Sequence, residues 1–292
     1  MTTLIEEYLI YIKNVRSYSD NTISGYQNEL VKFQNYLEEH HIDFKKITKD
    51  EIWEYLKYLD SLHYSNTSIS RHISAIRSFY NFLKQKELID NNIFKTIRNP
   101  KIKRKLPNVL NYEEIRELFQ FKECKTPKDY ITKALFELFY ATGLRISELV
   151  SIKIKDINFG EQSIRVLGKG KKERIVFFGD YAKDAMNDYF SVRESLMKKP
   201  TDYFFLNLHG NPMNRRTAEE IIYKRVDEVA LNHHISAHTL RHTFATHMLE
   251  NGADIRTVQE LLGHEKLSTT QIYTHLTSEY LRGEYLKKMP RK

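Results

Sequence analysis

Apolar residues recur at helical spacing through roughly the first hundred positions. Leu4, Tyr8, Tyr11 and Val15 form one stripe, and Ile23, Tyr26, Leu30, Phe33 and Leu37 a second. A capping box, Thr48-Lys-Asp-Glu51, opens a third helix carrying Ile52, Leu56 and Leu59. Ile69, Ile73, Ile76, Tyr80 and Leu83 mark a fourth. Helices of this length joined by short polar loops predict a compact bundle over residues 1–98. The stretch Asn99-Pro-Lys-Ile-Lys-Arg-Lys-Leu-Pro107 then brackets four basic residues between prolines, so residues 99–107 read as a linker.

The pattern changes in residues 108–292. Asn111 with Glu114 caps a helix, and a longer one runs from about Asp129 to Gly143, where glycine suits a C-terminal turn. Arg145 follows, then an amphipathic turn with Glu148, Leu149 and Ile152. Ser163–Leu167 and Arg174–Phe178 alternate as strands, joined by a glycine-rich tip carrying Lys169, Lys171 and Lys172. Helices over Asp180–Leu196 and Arg215 to about Leu231 flank a short strand at Tyr203–Leu206. The fold class is mainly α with a small antiparallel β-sheet, in two domains.

Composition narrows the partners. Apolar residues at 41% and charged residues at 29% describe a globular chain, and no apolar run reaches the ~18 residues of a membrane span. A single cysteine, Cys124, excludes an internal disulfide or a CxxC metal site and fits a cytoplasmic protein. The N-terminus lacks a signal-peptide pattern. Net charge of +8 and a pI near 9.2 favour a polyanion. The basic residues are spread along the chain, so DNA would be held over a broad surface.

Candidate DNA contacts follow from placement. On the fourth helix Arg71, Ser74 and Ser78 lie opposite the apolar stripe, with Arg77 on its flank. Small hydroxyl residues beside arginines permit close approach to phosphates, although a solvated face gives the same pattern. Lys101, Lys103, Arg104 and Lys105 of the linker, and Lys171 and Lys172 of the hairpin, are further candidates.

The densest chemistry lies between His238 and Tyr273. Ser236 can cap a helix with His238 and Arg241 in its first turn, where the helix N-terminus already favours an anion. Leu240, Phe244 and Met248 take its buried side, and Asn251-Gly252 ends it. A helix from Asp254 stops at Gly263, just before His264, and Ser268-Thr-Thr-Gln271 places Tyr273 near the start of another. His238 and His242 share the spacing of a zinc helix but lack its glutamate, and no GxxxxGK[ST] loop exists. His242, His247 and His275 read as core or surface residues. With 19 tyrosines in the chain, Tyr273 means nothing in isolation.

Arg145 in Thr-Gly-Leu-Arg-Ile-Ser-Glu-Leu, Lys169 in Gly-Lys-Gly, His238-x-x-Arg241, Leu-Gly-His264 and Tyr273 resemble, in order and spacing, the tyrosine recombinase (phage integrase) family. The fuller wording, including Ser-Thr-Thr-Gln-Ile-Tyr-Thr-His, is most similar to its Xer branch, and the likeness extends into the first half at Arg77-Ser-Phe-Tyr-Asn-Phe-Leu.

The resemblance implies a C-shaped clamp, with a helical core-binding domain and a catalytic domain closing on DNA. Tyr273 would attack a backbone phosphorus to give a 3′-phosphotyrosyl link and a free 5′-hydroxyl. Arg145 and Arg241 would grip the non-bridging oxygens, assisted by His264. His238 would be the base, Lys169 the acid for the departing 5′-oxygen, and Glu148 the residue orienting the basic groups. No metal or nucleotide cofactor is implied. The expected partners are double-stranded DNA at a short palindromic site, a second copy or a paralogue in a tetramer, and a DNA translocase. The segment Glu279–Lys292 would dock on a neighbouring protomer.

Dimer resolution of chromosomes or plasmids, through a Holliday junction, is the leading function. An integrase or excisionase of a mobile element, a type IB topoisomerase-like enzyme and a catalytically silent architectural DNA-binding protein are the alternatives.

Overall fold

The computed structural model describes residues 1–102, 108–168, 172–229, 231, 235–263 and 277–291. The chain divides into two compact units, Met1–Lys105 and Leu106–Lys292.

The first unit is built from α1 (Thr2–Asn14), α2 (Asp20–Glu39), α3 (Lys49–Ser61) and α4 (Asn66–Gln85). Serine or threonine side chains cap three of these helices: Ser19 accepts from Thr22 N, Ser65 from Ser68 N, and Thr48 forms its box with Glu51. The core is aromatic, with Tyr8, Phe33, Tyr55, Phe79, Tyr80 and Phe94 essentially inaccessible. Helix α4 is central. Besides its apolar stripe it buries Ser70, His72 and Ala75, so its polar strip is narrower than the sequence pattern suggests. His72 pairs through Nδ1 with Tyr55 Oη at 3.1 Å and through Nε2 with Glu29, which satisfies a polar group inside an apolar bundle.

The start of the expected linker belongs to this unit. Asn66 Nδ2 donates to Lys101 O at 3.1 Å, and Arg77 donates from Nε to Phe94 O and from Nη2 to Ile97 O and Asn99 Oδ1.

The second unit is organised on α6 (Pro127–Thr142), buried on nearly every side and packed by three further helices: α8 (Asp180–Leu196), α9 (Arg215–Glu228) and α10 (Ala237–Glu250). Short helices α5 (Tyr112–Leu118) and α7 (Ile146–Val150) flank it, and α11 (Ile255–Leu262) and α12 (Ser278–Lys288) follow α10. Strands β1 (Ile157–Asn158), β2 (Ser163–Leu167) and β3 (Glu173–Phe177) form an antiparallel sheet in sequence order. Its register sets Val166 opposite Arg174 and Arg165 opposite Ile175.

One expectation needs correction. Tyr203–Leu206 is not a strand but holds two isolated bridges, Lys153 with Tyr203 and Leu206 with Pro212. Backbone pairing there is partial, with Phe204 N donating to Ile152 O and Met213 N to Phe205 O. Buried Arg193 takes the carbonyls of Thr201, Tyr203 and Phe204, and Leu206 N donates to Tyr189 Oη, so side chains satisfy groups that a continuous strand ladder would otherwise pair. In the single chain the C-terminal segment packs on its own unit. Tyr285 and Met289 are buried in its core, and Arg291 makes a two-bond fork to buried Glu137. Among the described residues no helix is long and apolar enough to cross a membrane.

Candidate active site

Arg145 stands at the turn between α6 and α7. Gly143 ends α6 in the left-handed conformation at φ +57°, which frees the chain to turn back into α7. Glu148, one turn into α7, accepts from Arg145 N at 2.9 Å and from Arg145 Nη1 at 2.9 Å.

A third residue completes this pair. Arg174, the second residue of β3, donates from Nη1 to Glu148 Oε1 at 3.0 Å and from Nη2 to Oε2 at 2.8 Å. Each carboxylate oxygen therefore accepts twice, which uses the full capacity of the group. Burial alone would raise the Glu148 pKa, but hydrogen bonds and charge from Arg174 and Arg145 outweigh it and hold the carboxyl below its ordinary range.

Arg241 lies on α10, whose N-cap Ser236 accepts from Thr239 N. Its guanidinium is buried and bonds Gly143 O at 2.7 Å and Leu262 O at 2.8 Å. Desolvation, then repulsion from Arg145 and Arg174, lowers its pKa to about 10 despite the opposing pull of Glu148. At neutral pH it stays charged, so two guanidiniums bonded to one carboxylate and a third that feels its charge leave positive charge in excess.

The three arginines converge on the end of α11. Leu261 O accepts from Arg174 Nε at 3.0 Å, Leu262 O from Arg241 Nη2 and Gly263 O from Arg145 Nη2 at 3.3 Å. Carbonyls at a helix C-terminus lack intrahelical partners and carry the negative end of its dipole, so cations are drawn there. Gly263 closes the helix at φ +65°, and His264 is the next residue in sequence. An anion supplied from outside can compensate this cluster. Arg145, with 39% of its side chain exposed, is the most accessible of the three arginines.

His238, three residues before Arg241, is exposed, and so is His242. The two thus share the outer face of α10 while Arg241 turns inward. Partial desolvation of its ring, then the neighbouring His238 and Arg241, lowers the pKa of His242. His247 is a core residue, paired with Tyr140 Oη at 2.8 Å and stacked on Tyr112. Lys169, His264, Tyr273 and His275 lie outside the described residues, as do Lys103, Arg104, Lys105 and Lys171. Lys172 and Lys101 are exposed. No group of three His, Cys, Asp or Glu side chains is placed to hold a metal among the described residues.

On the first unit, exposed Arg71 pairs with Glu29 Oε1 at 3.3 Å, and Ser74 Oγ donates to Ser70 O. Both line a groove between α2 and α4 that also holds Asn21 and Thr22, which sequence reasoning did not single out. Ser78 is half-buried. Arg77 has a structural task, pinning the chain after α4, which the expectation of a DNA contact did not include.

Arg174 is the site residue that sequence reasoning missed. The available signal was a charge on a strand whose neighbours Ile175 and Val176 left the inward phase open.

A family model described as "Phage integrase family" matches residues 108–279, and one described as "Phage integrase, N-terminal SAM-like domain" matches residues 5–87. Over 99% of its length the chain is 41% identical to tyrosine recombinase XerC of Listeria welshimeri, covering 98% of that protein. It is 42% identical to tyrosine recombinase XerD of Staphylococcus haemolyticus, with 100% of both chains covered. The chain therefore belongs to the phage integrase family, among its Xer-like tyrosine recombinases, enzymes that break and rejoin DNA in site-specific recombination.

Its fold is similar to that of XerH bound to palindromic difH substrate, with TM-score 0.72 and 23% identity over 90% of this chain and 78% of that one. A lambda integrase dimer bound to a COC′ core site also gives 0.72, at 18% identity over 94% and 99% of the two chains.

Proposed function

We propose that this recombinase cuts and rejoins DNA at one short palindromic site, with Tyr273 as nucleophile, and resolves chromosome or plasmid dimers. The observation that carries the reading is the excess of positive charge where Arg145, Arg174 and Arg241 gather at the end of α11, with Glu148 as the carboxylate bonded by the first two. A phosphodiester anion would compensate that excess, and planar guanidiniums suit the non-bridging oxygens of a five-coordinate phosphorus.

The chemistry balances without an energy source. The Tyr273 oxygen bonds to phosphorus, its proton passes to His238, and the 5′-oxygen leaves with a proton from Lys169. Attack by a 5′-hydroxyl on the phosphotyrosyl bond reverses these steps, so exchange of two strands yields a Holliday junction and no nucleotide is consumed. A free tyrosine titrates near ~10, so local positive charge and a base both favour its reactive form. His264 would add a hydrogen bond to the phosphoryl oxygens. Two pairs of protomers, of this chain alone or with a paralogue, would act in a tetramer under the control of a DNA translocase. The first unit would contact the duplex through Arg71 and Ser74.

Trapping phosphotyrosyl adducts in cells and sequencing the attached DNA tests the reading. Adducts should map to one palindromic locus and vanish in Tyr273→Phe while the purified variant still binds that duplex. Adducts of normal yield in Tyr273→Phe would overturn the nucleophile assignment, and adducts scattered over all sequences would point to topoisomerase-like relaxation.

A further inference from the structure

We infer that Arg174 is the positioning residue that sets Arg145 for the phosphate, acting through Glu148 and the end of α11. The inference rests on the function proposed above.

Arg174 touches both structures that hold Arg145. Its Nη1 and Nη2 form the fork on Glu148, and its Nε bonds Leu261 O, two residues before the Gly263 carbonyl that accepts from Arg145 Nη2. The side chain is 13% exposed and that of Glu148 6%, against 39% for Arg145. Arg174 is thus enclosed among protein groups, while the side chain it braces is open to a ligand. Gly263 is fitted to it as well: a Cβ there would lie 3.0 Å from Arg174 Cζ.

Charge and geometry both require an arginine. Without Arg174, each Glu148 oxygen loses one partner and the carboxylate, buried beside Arg145, can rotate toward it. Arg145 would then be drawn into a closer pair with Glu148 and away from an incoming phosphate. A lysine could neutralise Glu148 but has no planar fork for both oxygens together with a third N–H for Leu261 O. Arg174 also lies on β3, whose hairpin partner β2 precedes Lys169 in sequence, so the hairpin that supplies the acid also braces the electrophilic arginine.

The test measures covalent adduct formation by the full chain on a nicked duplex carrying its mapped site. One substrate has a normal scissile phosphate, and the other a methylphosphonate, in which a methyl group replaces one charged oxygen. Arg174→Ala should slow adduct formation on the normal phosphate by on the order of 100-fold, the scale of a misplaced catalytic group. Arg174→Lys should recover little of that loss.

Because the neutral substrate needs less of Arg145, the defect of Arg174→Ala should shrink on methylphosphonate in parallel with that of Arg145→Ala. The double variant should be no slower than Arg145→Ala alone. A defect equal on both substrates, or one that multiplies with Arg145→Ala, would mean that Arg174 serves the fold generally and would overturn the inference. Wild-type rates in Arg174→Ala would do the same. If Arg174→Ala does not fold, the comparison of the two substrates with Arg174→Lys decides. Failure of the wild-type chain to form any phosphotyrosyl adduct would defeat the functional reading instead.

Discussion

Gly143 and Phe244 are in such close contact that a Cβ added at Gly143 would lie 2.3 Å from Phe244 Cδ1. The glycine is needed twice, for its left-handed φ and for the ring against it, and its carbonyl also receives Arg241 Nη1. Gly143→Ala must strain the turn by about 1–2 kcal/mol for the left-handed conformation, before any displacement of Phe244. Thermal unfolding should show a clear fall in Tm, with adduct formation reduced further because Arg241 and Arg145 flank the same turn. An unchanged Tm would mean the turn relaxes freely.

Glu148→Gln tests the balance of the arginine cluster. Removing the carboxylate leaves buried guanidiniums without their shared counter-charge, a loss of about 3–5 kcal/mol in urea unfolding. The pH dependence follows from the lowered carboxyl pKa. A group held lower in the folded state contributes fully above the ordinary carboxylate range, near ~4.3, and its contribution fades as pH falls through the folded value. The wild-type chain should therefore lose stability in acid more steeply than Glu148→Gln. Parallel acid limbs would show that Glu148 does not contribute.

For Lys169→Ala, cleavage should be restored by a substrate whose 5′-leaving oxygen is replaced by sulfur, because a thiolate departs without protonation. The rate of adduct formation on the two substrates is the measurement. An equally large defect on both would remove Lys169 from the role of acid.

Tyr285→Ala probes the C-terminal helix. Tyr285 is 1% exposed and packs within the core of its own unit, with Phe177 among its aromatic neighbours. Loss of a fully buried aromatic costs about 3–5 kcal/mol, so unfolding should shift markedly in the isolated protein, without any assembly. A wild-type unfolding midpoint would mean that α12 contributes nothing to the fold it covers.

Much of the candidate site is legible in the sequence because its determinants are local. The caps at Ser236 and Asp254, the glycine stops at Gly143 and Gly263 and the stripe Leu240–Phe244–Met248 are enough to place Arg145, His238 and Arg241 at helix ends. Arg193 shows where local reading stops. Its buried guanidinium occupies the carbonyls around Tyr203, and nothing in the Tyr203–Leu206 pattern signals that a side chain from α8 takes carbonyls a strand ladder would pair.

Arg165 and Arg174 draw the line most sharply. Each sits among alternating apolar residues on a short strand, and by sequence alone they are equivalent. Register separates them: Arg165, opposite Ile175, faces outward and pairs with Asp156, whereas Arg174, opposite Val166, turns inward onto Glu148. Sequence determined the elements, the caps and the motif residues, because helix and turn preferences act within a few positions. Only the tertiary structure decided that two arginines from separate elements meet at one carboxylate and that a third joins them at three consecutive carbonyls. That choice depends on strand register and helix packing, which bring together residues far apart in the chain.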